Sequence, residues 1–234
     1  MAGYIWAIIV ASVVGYIILG SIILKLLRYR RAEFVRTYKL PRGSLRKLNE
    51  RHPALTLKDC ALVSRGLRQF FIAYLMSDKK FVSMPSVVAD DLWYEFILYT
   101  RDYQDFCKRA FGGFLHHTPA VVLGRKRIDE QHNIGLRRVW WYACKEENIN
   151  PRAPTRLPLL FALDAKLRIA GGFIYKPDCS MHRSYTDPPV HCGGDFSDSA
   201  FDGSTEGFGD AGSGCGGDGG CGGDGGCGGG CGGD

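Results

Sequence analysis

From Tyr4 to Leu24 the chain carries no charged residue, and Ile, Val, Leu, Ala, Tyr and Trp fill nearly every position. As a helix rising about 1.5 Å per residue, this run spans roughly 30 Å, the hydrocarbon thickness of a bilayer. Lys25, Arg28, Arg30, Arg31, Arg36, Lys39, Arg42, Arg46 and Lys47 follow at once. Lys and Arg that flank a span stay on the cytoplasmic side. The expectation is one transmembrane anchor over residues 1–27, with a short N-terminus outside and the rest of the chain at the cytoplasmic face of the cell membrane. A cleaved secretory signal fits less well. Met1-Ala2-Gly3 supplies no positive n-region, the apolar run is too long, and Leu24 to Leu27 resemble no small-residue cleavage site. Tyr4, Trp6 and Tyr29 suit the interfacial aromatic belts.

Residues 28–51 read as a basic juxtamembrane connector that continues the anchor helix for a turn or two before Pro41 and Gly43 break it. Attraction to anionic lipid headgroups accounts for its charge. The membrane partner is thus residues 4–27 with the basic residues behind them. No recognition element with interleaved stacking aromatics accompanies that charge, so nucleic acid is not an expected partner. The formal net charge of +6 hides an asymmetry, because no Lys or Arg follows Arg183 while Asp and Glu continue to Asp234.

Residues 52–178 are long enough for one globular core. Apolar spacing near 3.6 predicts helices over Leu57–Met76, from Met84-Pro85-Ser86 onward through Tyr99, over Tyr103–Phe111, over about Arg125–Glu147 and over Leu159–Ile169. Thr56 is the expected N-cap of the first, with Asp59 three residues on. Gly112-Gly113 ends the third. Phe173-Ile174-Tyr175 suits one short extended piece. Nothing alternates at period two for long, so the fold class is all-α, with a cytoplasmic domain of about five helices. Cys60, Cys107 and Cys144 stand singly in apolar stretches and read as small hydrophobes.

Residues 179–234 form a Cys/Gly/Asp-rich tail. Glycine takes about every second position from Gly193 onward, and little apolar area offsets the entropy of ordering it. The tail is expected to be disordered.

Four places hold chemistry-bearing residues. In Asp90-Asp91-Leu92-Trp93-Tyr94-Glu95, helical spacing sets Asp90 one turn from Tyr94 and Asp91 one turn from Glu95. These acids read as an acidic, aromatic-rimmed pocket mouth, as part of a metal site, or as favourable charges in a helix's first turn. His116-His117 supplies a ligand, a general base or a pH-sensitive group, or else one backbone-bound and one solvated ring. Cys179, His182, His191 and Cys192 are zinc-type ligands without a finger-like spacing. Cys215, Cys221, Cys227 and Cys231 lie in the glycine tail, where Cys-Gly-Gly-Asp-Gly-Gly occurs twice, at 215–220 and 221–226; thiolates on a flexible chain wrap a soft metal such as Zn or Cu(I), or serve as substrates for modifying enzymes. No phosphate loop, nucleophile elbow or dinucleotide fingerprint appears.

The run Met84-Pro85-Ser86, Asp90 through Thr100, Tyr103, Phe106-Cys107, Phe111-Gly112 and Phe114 through Pro119, with Leu157 through Leu167 and the Cys/Gly tail, resembles an uncharacterised family of bacterial glycine-rich domain-containing proteins. It is more distantly similar to the N-terminal region of plant glycine-rich domain proteins. In that family His follows the Trp, and this chain has Tyr94. The resemblance implies a site in which that His would join His116 or His117. Tyr does not replace neutral imidazole as a metal ligand without losing its proton.

Three functions follow as expectations. The first is a membrane-anchored binding or scaffold protein whose tail contacts a protein partner or a metal. The second is a metal-dependent or acid/base enzyme using Asp90, Asp91, His116 and His117. The third makes the tail's cysteines substrates for modification.

Overall fold

The computed structural model describes residues 2–117, 125–177 and 191–192. Among them are seven helices: α1 (Ala2–Thr37), α2 (Arg42–Arg51), α3 (Leu57–Met76), α4 (Val87–Ile97), α5 (Thr100–Phe111), α6 (Arg125–Glu146) and α7 (Leu159–Leu167). A two-residue parallel pairing joins β1 (Tyr175–Lys176) to β2 (His191–Cys192), with Tyr175 opposite His191 and Lys176 opposite Cys192. The all-α expectation holds, and β1 overlaps the extended piece expected at Phe173–Tyr175.

α1 is long and apolar enough to cross a membrane, with a mean hydropathy of 2.6 over its most apolar stretch and none of that stretch buried. Its last turns behave differently. Ala32 and Val35 are fully buried, and Phe34 and Tyr38 pack against the same core. The segment 28–51, expected as a connector, is therefore part of the helical body. The expected break at Pro41 is there, but Pro41 also serves as the N-cap of α2. α2 buries only Ser44 and Leu48 and is fastened to α4 by charge, with Arg51 reaching Asp91 at 2.5 Å and Glu95 at 2.8 Å.

α3 is the central helix and touches α1, α2, α4, α6 and α7. Apolar residues occupy most of its circumference, from Cys60 and Val63 through Leu67, Phe70, Phe71, Ile72 and Leu75, as a helix enclosed on nearly all sides requires. Its start is fixed locally. The Thr56 hydroxyl accepts from the Asp59 N–H at 3.2 Å, and the Asp59 carboxylate accepts from the Thr56 N–H at 2.9 Å. This reciprocal capping box satisfies two end donors. Gly66 lets α7 approach, since a Cβ there would lie 2.4 Å from Leu163 Cδ1. α5 buries Tyr103, Phe106, Cys107, Ala110 and Phe111 and stops at Gly112, whose φ of +73° closes the helix in the left-handed conformation. Ser86, not Pro85, caps α4, and Pro85 stands just before the cap.

The first turn of α7 has no cap of its own. Gln69 Oε1 accepts the Leu160 N–H at 2.9 Å, and Glu147 accepts the Leu159 N–H at 2.7 Å and the Gln69 amide at 2.9 Å. α3 and the end of α6 thus satisfy the donors that α7 leaves open. All three single cysteines are buried thiols, as expected. Burial pushes Cys60 and Cys107 above the ordinary thiol range and Cys144 up to about 12.

Burial by itself raises the carboxyl pKa of Glu147, but the hydrogen bonds from the Leu159 N–H, Gln69 and Arg156 outweigh it and hold the pKa below the ordinary value. A depressed folded-state pKa contributes stability that is complete above the unfolded value near 4.5 and is lost as pH falls through the folded value. Thermal unfolding of Glu147→Gln followed from pH 7 to pH 3 should therefore show a shallower acid-side loss than the parent chain, with the two curves converging at the acid end.

Candidate functional site

The site is built on the start of α4. Ser86 Oγ accepts the Ala89 N–H at 3.3 Å and donates to Asp164 Oδ1 at 2.7 Å. Asp164, on α7, also accepts from the N–H groups of Val87 at 2.8 Å, Val88 at 3.3 Å and Phe173 at 3.0 Å. A buried carboxylate at the positive end of α4 is well placed electrostatically. It locks the register of α4 to α7 and fixes where Asp90 emerges.

Asp90 meets His117 across the connector that follows α5, with Asp90 Oδ1 and His117 Nε2 at 2.8 Å. The imidazole also stands edge-on to Trp93, with ring centroids 4.6 Å apart and planes at 83°. The Trp93 indole N–H donates to the Tyr103 hydroxyl at 3.2 Å, and that hydroxyl donates to the Leu115 carbonyl at 2.5 Å. Burial raises the Tyr103 pKa far above the ordinary phenol value, so its proton stays in place to make this bond. Trp93 and Tyr103 hold residues 115–117 against α4.

These groups border a cavity of about 440 Å³. Its other walls come from Tyr74 on α3, from Lys79, Phe81, Ser83 and Met84 in the turn after α3, and from Phe114 and Phe173. The volume and the mixture of aromatic wall with a few polar groups suit a small-molecule site. Ser83 is buried, and its Oγ has no hydrogen-bond partner among the described residues. Behind it stands Gly135, where a Cβ would lie 2.2 Å from Ser83 Oγ and 2.7 Å from its backbone nitrogen. The glycine in the middle of α6 is explained by this approach.

The structure brings together only some of the expected site residues. Asp90 and His117 pair. Asp91, one residue on, turns to Arg51 and to His52, whose Nε2 is 2.7 Å from Asp91 Oδ2. Tyr94 is half exposed under the Arg51 guanidinium, 5.6 Å from its ring centroid. His116 is exposed and leans on Phe114 at 4.8 Å. Among the described residues no three His, Cys, Asp or Glu side chains converge as a metal-binding set. His191 and Cys192 are described only as strand backbone, and Cys179, His182, Cys215, Cys221, Cys227 and Cys231 lie outside the described residues. Sequence reasoning missed Asp164, although a lone acid inside Leu159–Leu167 was a signal, and missed His52 and Arg51, which carried none.

A family model matches residues 30–196, from the buried end of α1 through β2. The chain belongs to the UCP032817-like family. Every described residue of the Asp90–His117 site falls inside the span that defines this UCP032817-like protein. No curated protein and no solved structure is detectably similar to it.

Removing the Asp164 side chain by Asp164→Ala leaves several buried donors unpaired and should cost about 2–4 kcal/mol. His117→Ala breaks a half-exposed pair and should cost about 1 kcal/mol or less. Thermal unfolding of the detergent-solubilised full chain checks this ordering, and equal shifts for the two variants would contradict it.

Proposed function

We propose that this UCP032817-like protein is a single-pass, membrane-anchored binding protein that holds its helical body at the cytoplasmic face and takes a small ligand in the Asp90–His117 cavity. The observation that carries this reading is the continuity of α1. One helix supplies an exposed apolar stretch near the N-terminus and then buries Ala32 and Val35 in the core of the body. A helix that begins in lipid and ends in a protein core holds that core against the membrane. The Lys and Arg residues from Lys25 onward favour the cytoplasmic side for everything behind the span.

The finer family likeness belongs to the same reading. The residue pattern over 84–119 and 157–167, with the Cys/Gly tail, supports a place among bacterial glycine-rich domain proteins. The tail then meets a protein partner or a soft metal through Cys215, Cys221, Cys227 and Cys231.

The test uses the full chain in sealed membranes. Alkaline carbonate should leave it in the pellet. Protease should digest the body in inverted vesicles and spare it in right-side-out ones. Release by carbonate overturns the anchor, and the opposite protease pattern overturns the orientation.

A second reading, acid/base catalysis, is favoured by the Asp90–His117 contact at the cavity wall. A carboxylate that holds one imidazole nitrogen fixes the ring's tautomer and leaves its other nitrogen for proton transfer. The variants separate the two readings. A binding protein should lose affinity by about tenfold in His117→Ala and recover most of it in His117→Gln, which keeps a polar contact. An enzyme should lose turnover in both while ligand affinity persists.

A further inference from the structure

α3 and α5 both run antiparallel to the end of α1. At one end of the α1–α3 pair Arg68 Nη1 donates to the Tyr38 carbonyl at 3.0 Å, and at the other Arg28 meets Asp78 just past α3. For α5, the Arg109 guanidinium lies 4.4 Å from the Phe34 ring centroid, and Arg31 Nη1 donates to the Phe111 carbonyl at 3.5 Å, beside the terminating Gly112. Two turns therefore point back toward the apolar stretch of α1: the one after α3, carrying Asp78 to Phe81, and the one after α5, carrying Gly112 to Phe114.

Their depth follows from helix geometry. Arg28 is four residues past Leu24, which is about 6 Å along the axis. The headgroup zone of one leaflet is about 5–7 Å deep, from the difference between whole-bilayer and hydrocarbon thickness. The Arg28–Asp78 contact thus lies at headgroup level when α1 spans.

The same two turns contribute to the wall of the 440 Å³ cavity, the first with Lys79 and Phe81 and the second with Phe114, and Met84 and His117 line it just beyond them. Large rings stand partly in the open there, with Phe81 43% and Phe114 49% exposed. Asp78 is occupied by Arg28, while Lys79 and Lys80 beside it are exposed. Asp90 is held by His117 and Asp91 by Arg51 and His52, which leaves Lys79 as the cation among the described lining residues.

We propose that the cavity accepts an anionic phospholipid drawn from the adjoining leaflet, its acyl chain along Phe81, Met84, Trp93 and Phe114 and its anionic headgroup at Lys79. The proposal rests on the reading of α1 as a membrane span. The aromatic wall takes apolar chain as any concave apolar site does. A lysine at headgroup depth attracts anionic over neutral lipid. A carboxylate at Asp90 disfavours the head inside the cavity and orients the ligand head outward.

The experiment reconstitutes the full chain in nanodiscs of phosphatidylcholine with phosphatidylglycerol whose acyl chain carries a photoreactive group, and maps the adducts by mass spectrometry. Adducts are expected on α1 and on residues 79–87 and 114–117. Met84→Trp, which fills the cavity, should lower the second set at least fivefold and leave the α1 set unchanged. Lys79→Glu, which reverses the charge of an exposed side chain, should lower it severalfold, with the thermal unfolding of the variant followed to confirm that it folds. Adducts on α1 alone overturn this inference and leave the anchor standing. No adducts on α1 overturn the anchor as well. Cavity labelling that survives both variants also overturns it. Equal cavity labelling when photoreactive phosphatidylcholine replaces the phosphatidylglycerol overturns the anionic headgroup.

Discussion

The contact on which the rest of the molecule depends is the antiparallel packing of α3 and α5 on the last turns of α1. Ala32 and Val35 are fully buried there, and Phe34 and Tyr38 join a network of rings that includes Phe71, Phe96, Phe106 and Phe111. Each buried large side chain contributes about 1.5–3 kcal/mol, more than the exposed ion pairs around it. A small residue at Ala32 keeps the backbones close. With the direction of α3 set, α4 and α7 take their places through Gly66 and Asp164, and the cavity is what remains between the turns at one end.

Much of this fold was legible because its signals are local. Thr56 with Asp59 marks the start of α3, Gly112 marks the end of α5, and the 3.6 spacing of aromatic residues marks the helices between. What was not legible is what local pattern hides. The basic residues of 28–51 read as topology and headgroup attraction, and among them Ala32, Val35, Leu40 and Leu48 are too few to announce a buried face. α2 is polar along most of its length, so its place comes from Arg51 and its partners on α4, forty residues away in sequence. The Pro41 signal was read as a stop when it also opens a helix, since its fixed φ suits both uses.

The site divides in the same way. Its residue types were visible, since Asp90 and His117 both stood among the expected groups. Their pairing depends on how the connector after α5 returns to α4, which Trp93, Tyr103 and the Leu115 carbonyl decide. Asp91 shows the limit of reading an acidic pair as a unit. One residue along a helix is a turn of about 100°, and this sends its carboxylate to a different neighbour. Asp164 was overlooked because an acid in an apolar helix makes sense only once the facing helix end is known.

The uninterrupted helix through residues 25–37 makes α1 a screw. In an unbroken α-helix, each residue added or removed ahead of Arg28 shifts everything beyond it by about 1.5 Å and rotates it by about 100°. A flexible tether would absorb such a change. Here the azimuth of the whole body is geared to the register of the apolar stretch. With α1 spanning a bilayer, as proposed, the number of residues between Leu24 and Arg28 would set which side of the body looks along it.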